Sequence, residues 1–240
     1  MGGYHAFTFG FILGEIVKRV TGKTLSTYFK ENVAQPLDAD FIIGVPRKYQ
    51  KRIAELMPPD IPFNDLLEEG SIIYKILGIP AGWTLGGPNT KEFVKFCNTP
   101  DFREFDLPAT LGFANARSVA KVGSLVACGG SVDNVRILSQ KSLTEALKEQ
   151  FNGKGHVFIE GIRYGTGFGL PSEVLPIKNP NTLFWTGWGG CSCIMDMDAK
   201  LCVTYTMNKM RLESPEVTRE NKFVSYSRAN QIVSAVYDSL

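Results

Sequence analysis

Tyr4-His5-Ala6-Phe7-Thr8-Phe9-Gly10-Phe11-Ile12-Leu13-Gly14-Glu15-Ile16-Val17-Lys18-Arg19-Val20-Thr21-Gly22 is the stretch on which the reading of the whole chain turns. From Phe9, the apolar residues Ile12, Leu13, Ile16, Val17 and Val20 recur at helical spacing, with Glu15, Lys18 and Arg19 on the other side. That spacing predicts a core-facing amphipathic helix. Gly22 is placed to end it, since glycine enters the left-handed region without steric cost. A second helix is expected from about Leu25 to Val33, stopping before Pro36, and Asp40 to Gly44 reads as a short extended segment closed by Pro46.

Further along, residues from about Met57 to Pro88 are rich in Pro and Gly, which predicts irregular excursions of the kind that form lids or binding walls. Helices are expected over Thr90 to Cys97 and Ala116 to Cys128, the second with Val119, Val122, Leu125 and Val126 as its apolar stripe. Ser139, Ser142 and Glu145 mark the start of another, to about Glu149. The last third changes character. Arg163 to Leu170, Thr182 to Thr186, Cys191 to Met197 and Leu201 to Met207 read as strands, Asp198-Ala199-Lys200 as a tight turn, and Val224 to Leu240 as a closing helix. The expected architecture is α+β in a single domain, mainly helical over about 1–150, then an antiparallel sheet with a covering C-terminal helix over about 151–240.

Composition narrows the function. The 26 basic and 24 acidic residues nearly cancel, so no strong field draws the chain to nucleic acid or anionic lipid, and neither is an expected partner. Arg47-Lys48-Tyr49-Gln50-Lys51-Arg52 is read as a solvated face. Five cysteines, an odd number, suit a reducing compartment, and cytoplasm is the default localisation. Cys191 and Cys193 could share a strand face, but with only His5 and His156 in the chain no metal and no cofactor is expected. No apolar run is long enough to span a bilayer.

Several short motifs, in order, carry a resemblance. Tyr4-His5-Ala6-Phe7-Thr8-Phe9-Gly10 continues through Gly14-Glu15-Ile16-Val17, Val20-Thr21-Gly22, Pro36-Leu37 and Ile43-Gly44-Val45-Pro46. Gly112-Phe113-Ala114-Asn115-Ala116-Arg117-Ser118, Gly129-Gly130, Tyr164-Gly165-Thr166-Gly167-Phe168-Gly169, Trp188-Gly189-Gly190 and Met207-Asn208-Lys209-Met210 follow. Together they resemble the beta-lactamase-related serine hydrolases, and within these the esterase-like branch. The resemblance implies a beta-lactamase/transpeptidase-like fold and acyl transfer from a small ester or amide through a serine ester, in a cleft between a helical part and a sheet part. It also implies that Tyr4 is the tyrosine that shares proton transfer with a lysine. Trp188-Gly189-Gly190 stands where penicillin-recognising relatives have Lys-Thr-Gly. Gly189 and Gly190 are expected on an edge strand open to substrate, and the Cys191 backbone N–H as half of an oxyanion hole. Tyr4-His5-Ala6 departs from the Tyr-x-Asn of true beta-lactamases, which favours esters over beta-lactams.

The family's nucleophile lies in a Ser-x-x-Lys ahead of the tyrosine, and only three residues precede Tyr4. The chain therefore reads as an incomplete domain, inactive without its nucleophile segment. Alternatively, it is a catalytically dead relative used as a binding or scaffold protein. Missing strands would expose an edge and apolar surface, so self-association is expected to be possible. Ser118-Val119-Ala120-Lys121, the one literal Ser-x-x-Lys, lies far after Tyr4 and is read as structural. The absence of Gly-x-Ser-x-Gly argues against an α/β-hydrolase.

Overall fold

In the computed structural model, which describes residues 3–5, 7–60, 90–154, 161–172, 177–187, 189–211 and 227–240, the first helix, α1 (Thr8–Thr21), stops at Gly22. Gly22 has φ 73° and donates its N–H to the Lys18 carbonyl, a left-handed stop open to a residue without Cβ. Next come α2 (Leu25–Phe29), with the Thr24 hydroxyl accepting from the Thr27 N–H, and one π-helical turn over Lys30–Ala34. The helix expected to run unbroken to Val33 thus widens part-way, the Gln35 N–H reaching back to the Lys30 carbonyl at 2.9 Å. Strand β1 (Phe41–Ile43) precedes a 3-10 helix over Arg47–Arg52. The Pro- and Gly-rich stretch from 61 to 88 lies outside the described residues.

Helices α3 (Thr90–Cys97) and α4 (Pro100–Glu104) lead to β2 (Gly112–Ala114), which pairs antiparallel with β1. Phe102, Leu107 and Leu111 form a small core with Phe7, Cys97 and Phe113 packed against it. Helix α1 touches this half through its small-residue face: Gly10 is buried, and a Cβ there would stand 2.6 Å from the Ala109 nitrogen. The apolar stripe expected to face a core points outward instead. Phe9, Ile12, Leu13, Ile16 and Val20 are exposed, Val20 at 79%, and Val17 of the expected stripe is half-buried. The reason is geometric, because only the glycine side of the helix can approach the backbone of 108–109 so closely.

Helix α5 (Ala116–Ala127) is capped by Asn115, whose side chain accepts from the Ser118 N–H at 2.9 Å. A cap of this kind is worth about 1 kcal/mol. A two-residue ladder, β3 (Ser131–Val132) with β4 (Val135–Arg136), follows, then α6 (Gln140–Leu147), capped by Ser139. The remaining strands are β5 (Phe151–Lys154), β6 (Gly161–Tyr164), β7 (Gly169–Leu170), β8 (Thr182–Thr186), β9 (Ser192–Asp196) and β10 (Leu201–Tyr205). They form one antiparallel sheet in the order β10-β9-β8-β7-β6-β5. The single strand expected over 163–170 is two short ones separated by a turn in which Gly167 has φ 82°. Strand alternation then sorts the two faces. Leu183 and Met195 pack with Leu170 against Val126 of α5 and Leu143 and Ala146 of α6. Phe184, Ile194 and Val203 face the closing helix α7 (Ser227–Asp238) through Val233 and Val236. The expected α+β layout with a covering C-terminal helix is therefore present, and each fully buried Leu or Phe side chain contributes about 1.5–3 kcal/mol.

Helix α5 lies close on the sheet because of Gly123. A Cβ at Gly123 would stand 2.5 Å from Cys202 Sγ and 2.8 Å from Cys193 Sγ. Overpacking costs roughly 1–3 kcal/mol, against a helix-propensity gain of about 1 kcal/mol for alanine over glycine. Gly123→Ala is expected to lower stability by up to about 2 kcal/mol in urea denaturation. An unchanged or raised midpoint would show that α5 moves off the sheet at little cost.

Candidate active site

Tyr4 and the end of strand β8 are far apart in sequence and adjacent in space. The Tyr4 and Trp185 rings are 5.6 Å apart, tilted by 33°. The Trp185 side chain hydrogen-bonds that of Tyr4. An indole can only donate, so its N–H is directed at the phenolic oxygen. Tyr4 is half-buried, and burial pushes its phenol above the ordinary value of 10.0, an effect the Trp185 hydrogen bond only partly offsets. Tyr4 is thus held as the neutral phenol, and it could accept a proton only with a cation nearby to stabilise its anion. His5 is exposed, with Nδ1 2.9 Å from the Gly3 carbonyl.

Trp185 continues a row of rings. Its centroid is 6.0 Å from that of Tyr164 on β6, which lies 6.3 Å from Phe151 on β5 in a stacked pair. The ladder from β7 to β8 consists of the single pair Gly169–Phe184. It ends before Trp185, which lies opposite Cys193 on β9.

Gly189 and Gly190, expected on an edge strand, belong to the tight turn between β8 and β9. The Gly187 N–H donates to the Cys191 carbonyl at 2.8 Å and the Gly190 N–H to the Gly187 carbonyl at 3.0 Å. Their φ values of 95° and 111° suit glycine. A Cβ at Gly189 would also meet Met207 Cε at 2.8 Å and Met210 Cγ at 2.9 Å. These glycines therefore close a hairpin and admit methionine side chains. Trp188 lies outside the described residues. Cys191 closes the hairpin, and burial raises its thiol pKa.

The turn is buttressed from the helical half. Met57 forms a parallel bridge with Lys209, its N–H donating to the Asn208 carbonyl at 2.6 Å, and Lys209 Nζ pairs with Asp60 at 2.6 Å. Residues 207–210, recognised in the sequence only as a short motif, thus tie the two halves together beside Gly189.

Ser118 sits elsewhere. It is buried at the start of α5, its Oγ accepts the Asp40 N–H at 2.9 Å, and its own N–H is occupied by Asn115. Lys121 pairs with Asp133 at 3.3 Å. The hydroxyl and the ammonium each serve a separate structural contact. Cys193 Sγ lies 3.9 Å from Cys202 Sγ beneath Gly123. Among the described residues no group of three His, Cys, Asp or Glu is placed to hold a metal ion, and no described helix is long and apolar enough to cross a membrane.

Trp185-Thr186-Gly187 is the element that sequence reading overlooked. It ends a strand and contains a Thr-Gly, two signals visible in the sequence, and its Trp185 is the residue that meets Tyr4. With this geometry in place, a sequence profile described as Beta-lactamase matches residues 1–224. The chain belongs to the beta-lactamase family. It is 32% identical over 225 residues to the esterase/beta-lactamase LipL of Mycobacterium tuberculosis (strain ATCC 25618 / H37Rv), a match spanning 91% of this chain and 50% of that protein. A crystal structure of a family VIII carboxylesterase superposes with TM-score 0.78 at 30% identity, covering 99% of this chain and 58% of that one. A penicillin-binding protein homologue from Caulobacter crescentus gives TM-score 0.72 at 27% identity, covering 87% and 53%. The fold is the beta-lactamase/transpeptidase-like one, and the chain spans about half the length of these beta-lactamase-family relatives.

Proposed function

We propose that this chain supplies the proton-transferring tyrosine and the substrate-facing strand of a serine hydrolase that transfers acyl groups from small esters. The observation that carries the reading is the contact of Tyr4 with Trp185 at the end of β8, which joins the expected base to the strand an acyl group would lie along. A serine hydroxyl is a weak nucleophile at neutral pH and needs a base within hydrogen-bond reach. Tyr4 would fill that role once a lysine ammonium stabilises its phenolate. Trp185, Thr186 and Gly187 would border the acyl site, with Trp188, Gly189 and Gly190 forming the turn beyond. The Cys191 backbone N–H at the foot of that turn would provide one oxyanion donor and the nucleophilic serine's own N–H the other. Esters are favoured over beta-lactams because Ala6 stands where Tyr-x-Asn has its amide side chain.

The nucleophile in this reading belongs to a Ser-x-x-Lys segment other than Ser118–Lys121. The 240 residues by themselves are then expected to leave a fluorophosphonate probe unreacted and to hydrolyse a chromogenic short-chain ester no faster than buffer. Stoichiometric labelling that disappears in Ser118→Ala would place the nucleophile on α5 and overturn the assignment.

A further inference from the structure

The geometry points to a reversible oxidation site at Cys193 and Cys202, a dithiol that hydrogen peroxide closes to a disulfide, independent of the acyl-transfer reading. The two cysteines share one face of the β9–β10 ladder: Cys193 stands opposite Thr204 and Cys202 opposite Met195, so they are diagonal neighbours. Their Sγ atoms are 3.9 Å apart, in hydrogen-bond contact. The other three thiols are held elsewhere. Cys128 Sγ is directed at the Lys200 carbonyl, 4.0 Å away, Cys97 packs against Phe102, Leu107 and Leu111 in the helical half, and Cys191 hydrogen-bonds to the Gly187 backbone. Helix α5 roofs the pair at Gly123, where even a methyl group would meet both sulfurs. A sulfur oxidised at this place therefore has one thiol in contact, its diagonal neighbour.

The two sulfurs are not equivalent. Cys202 receives the hydrogen bond from the Cys193 thiol, which draws its own thiol below the ordinary value against the effect of burial, with a further bond from Ser124. Cys193 gives that bond, and this together with burial raises it. The thiolate is the nucleophile, so Cys202 attacks. Its sulfur takes one oxygen of hydrogen peroxide as the O–O bond breaks, giving the sulfenic acid and a hydroxide that takes up the proton Cys202 had released. The Cys193 sulfur then displaces the sulfenic oxygen, which leaves as water with the Cys193 proton. Two thiols are oxidised to one disulfide, and one peroxide is reduced to two waters. A disulfide is about 2.05 Å long, so the sulfurs close by roughly 2 Å, through side-chain rotation and a small shift of β10 along β9. Strand β10 ends the sheet and pairs with no other described strand, so the shift breaks no second ladder. Cys193 also pairs with Trp185 across β8–β9, one ladder step from the ring that meets Tyr4.

Trypsin makes the test direct, because Lys200 lies between the two cysteines. The 240-residue protein is treated with hydrogen peroxide, its remaining thiols are alkylated, and the digest is read by mass spectrometry. Peptides 179–200 and 201–209 are expected to appear joined, with titratable thiols falling from five to three, and to separate after dithiothreitol. Fragmentation between Cys191 and Cys193 places the bond on Cys193 in the unaltered protein, so the result stands without any variant. In Cys193→Ala the joined peptides should be lost and Cys202 should pass on to the sulfinic acid, since no neighbouring thiol captures its sulfenic form. Cys202 recovered as the free thiol after peroxide, a bond from it to Cys191 or Cys128, or a disulfide-linked dimer in place of the internal bond overturns the proposal.

Discussion

Tyr4→Phe is expected to lower ester hydrolysis by about 10²- to 10⁴-fold in a form of this protein that carries a Ser-x-x-Lys segment, because that is the usual contribution of a positioned proton-transfer group. Phenylalanine keeps the ring against Trp185 and removes only the oxygen that accepts its indole N–H, so the loss should fall on kcat, with KM little changed. The ionisation of Tyr4 offers an independent reading. In the 240 residues alone, burial holds the phenol above 10.0. Ultraviolet difference titration against Tyr4→Phe should therefore place its midpoint above that value. Beside the lysine of a nucleophile segment the midpoint should fall, since a nearby ammonium favours the phenolate. Full activity in Tyr4→Phe would remove Tyr4 from the chemistry, and a midpoint unmoved by the segment would remove the lysine from its neighbourhood.

The largest effect on stability is expected at Asp196, at the end of β9. Its carboxylate is fully buried and accepts from Asn179 Nδ2 at 2.7 Å, from the backbone N–H groups of Asp198 and Ala199 at 2.9 Å each, and from the Tyr237 hydroxyl at 2.5 Å. One side chain thus closes the β9–β10 turn and fastens α7 to the sheet. Asp196→Ala strands these donors, and buried groups left unpaired cost about 1–3 kcal/mol each, not additively. A loss of about 3–4 kcal/mol in urea denaturation is expected, a large part of the roughly 5–15 kcal/mol that holds a domain folded. Tyr237→Phe removes one of these bonds and should cost about 1–2 kcal/mol. An Asp196→Ala cost no larger than that of Tyr237→Phe would show the turn to be held by other contacts. The same pair predicts a pH dependence. Burial, and then the bond to Asp196, raise the Tyr237 pKa well above its ordinary value. The folded state thus holds this proton more tightly than the unfolded chain. Its stabilisation is complete below pH 10 or so and is lost as pH rises towards the folded value. Unfolding midpoints should fall on the alkaline side in the unaltered protein, and less steeply in Tyr237→Phe.

Much of the fold could be read from local chemistry. Apolar spacing placed α5 within a residue of its observed end, Ser139 announced α6, and Gly22 stopped α1, because each depends on contacts within one or two turns of helix. Alternation likewise located β8, β9 and β10. The elements that escaped notice were short or lacked local signal. Strand β5, Phe151–Lys154, exists because β6 pairs with it. The strand expected over 163–170 is broken by a turn whose geometry only the pairing of Tyr164 with Gly169 reveals.

The candidate site divides along the same line. Ordered motifs were sufficient to assign the chain to its family and to nominate Tyr4 over Ser118 as a candidate, since motif order is a property of the linear chain. The tertiary structure alone decided that Tyr4 meets Trp185, that Gly189 and Gly190 close a hairpin, that the Ser118 hydroxyl accepts from Asp40, and that the α1 stripe points to solvent. Each of these depends on residues far apart in sequence, or on which side of a helix can approach a backbone most closely. Periodicity shows that a helix has an apolar face; whether that face is covered depends on the other segments packed around it.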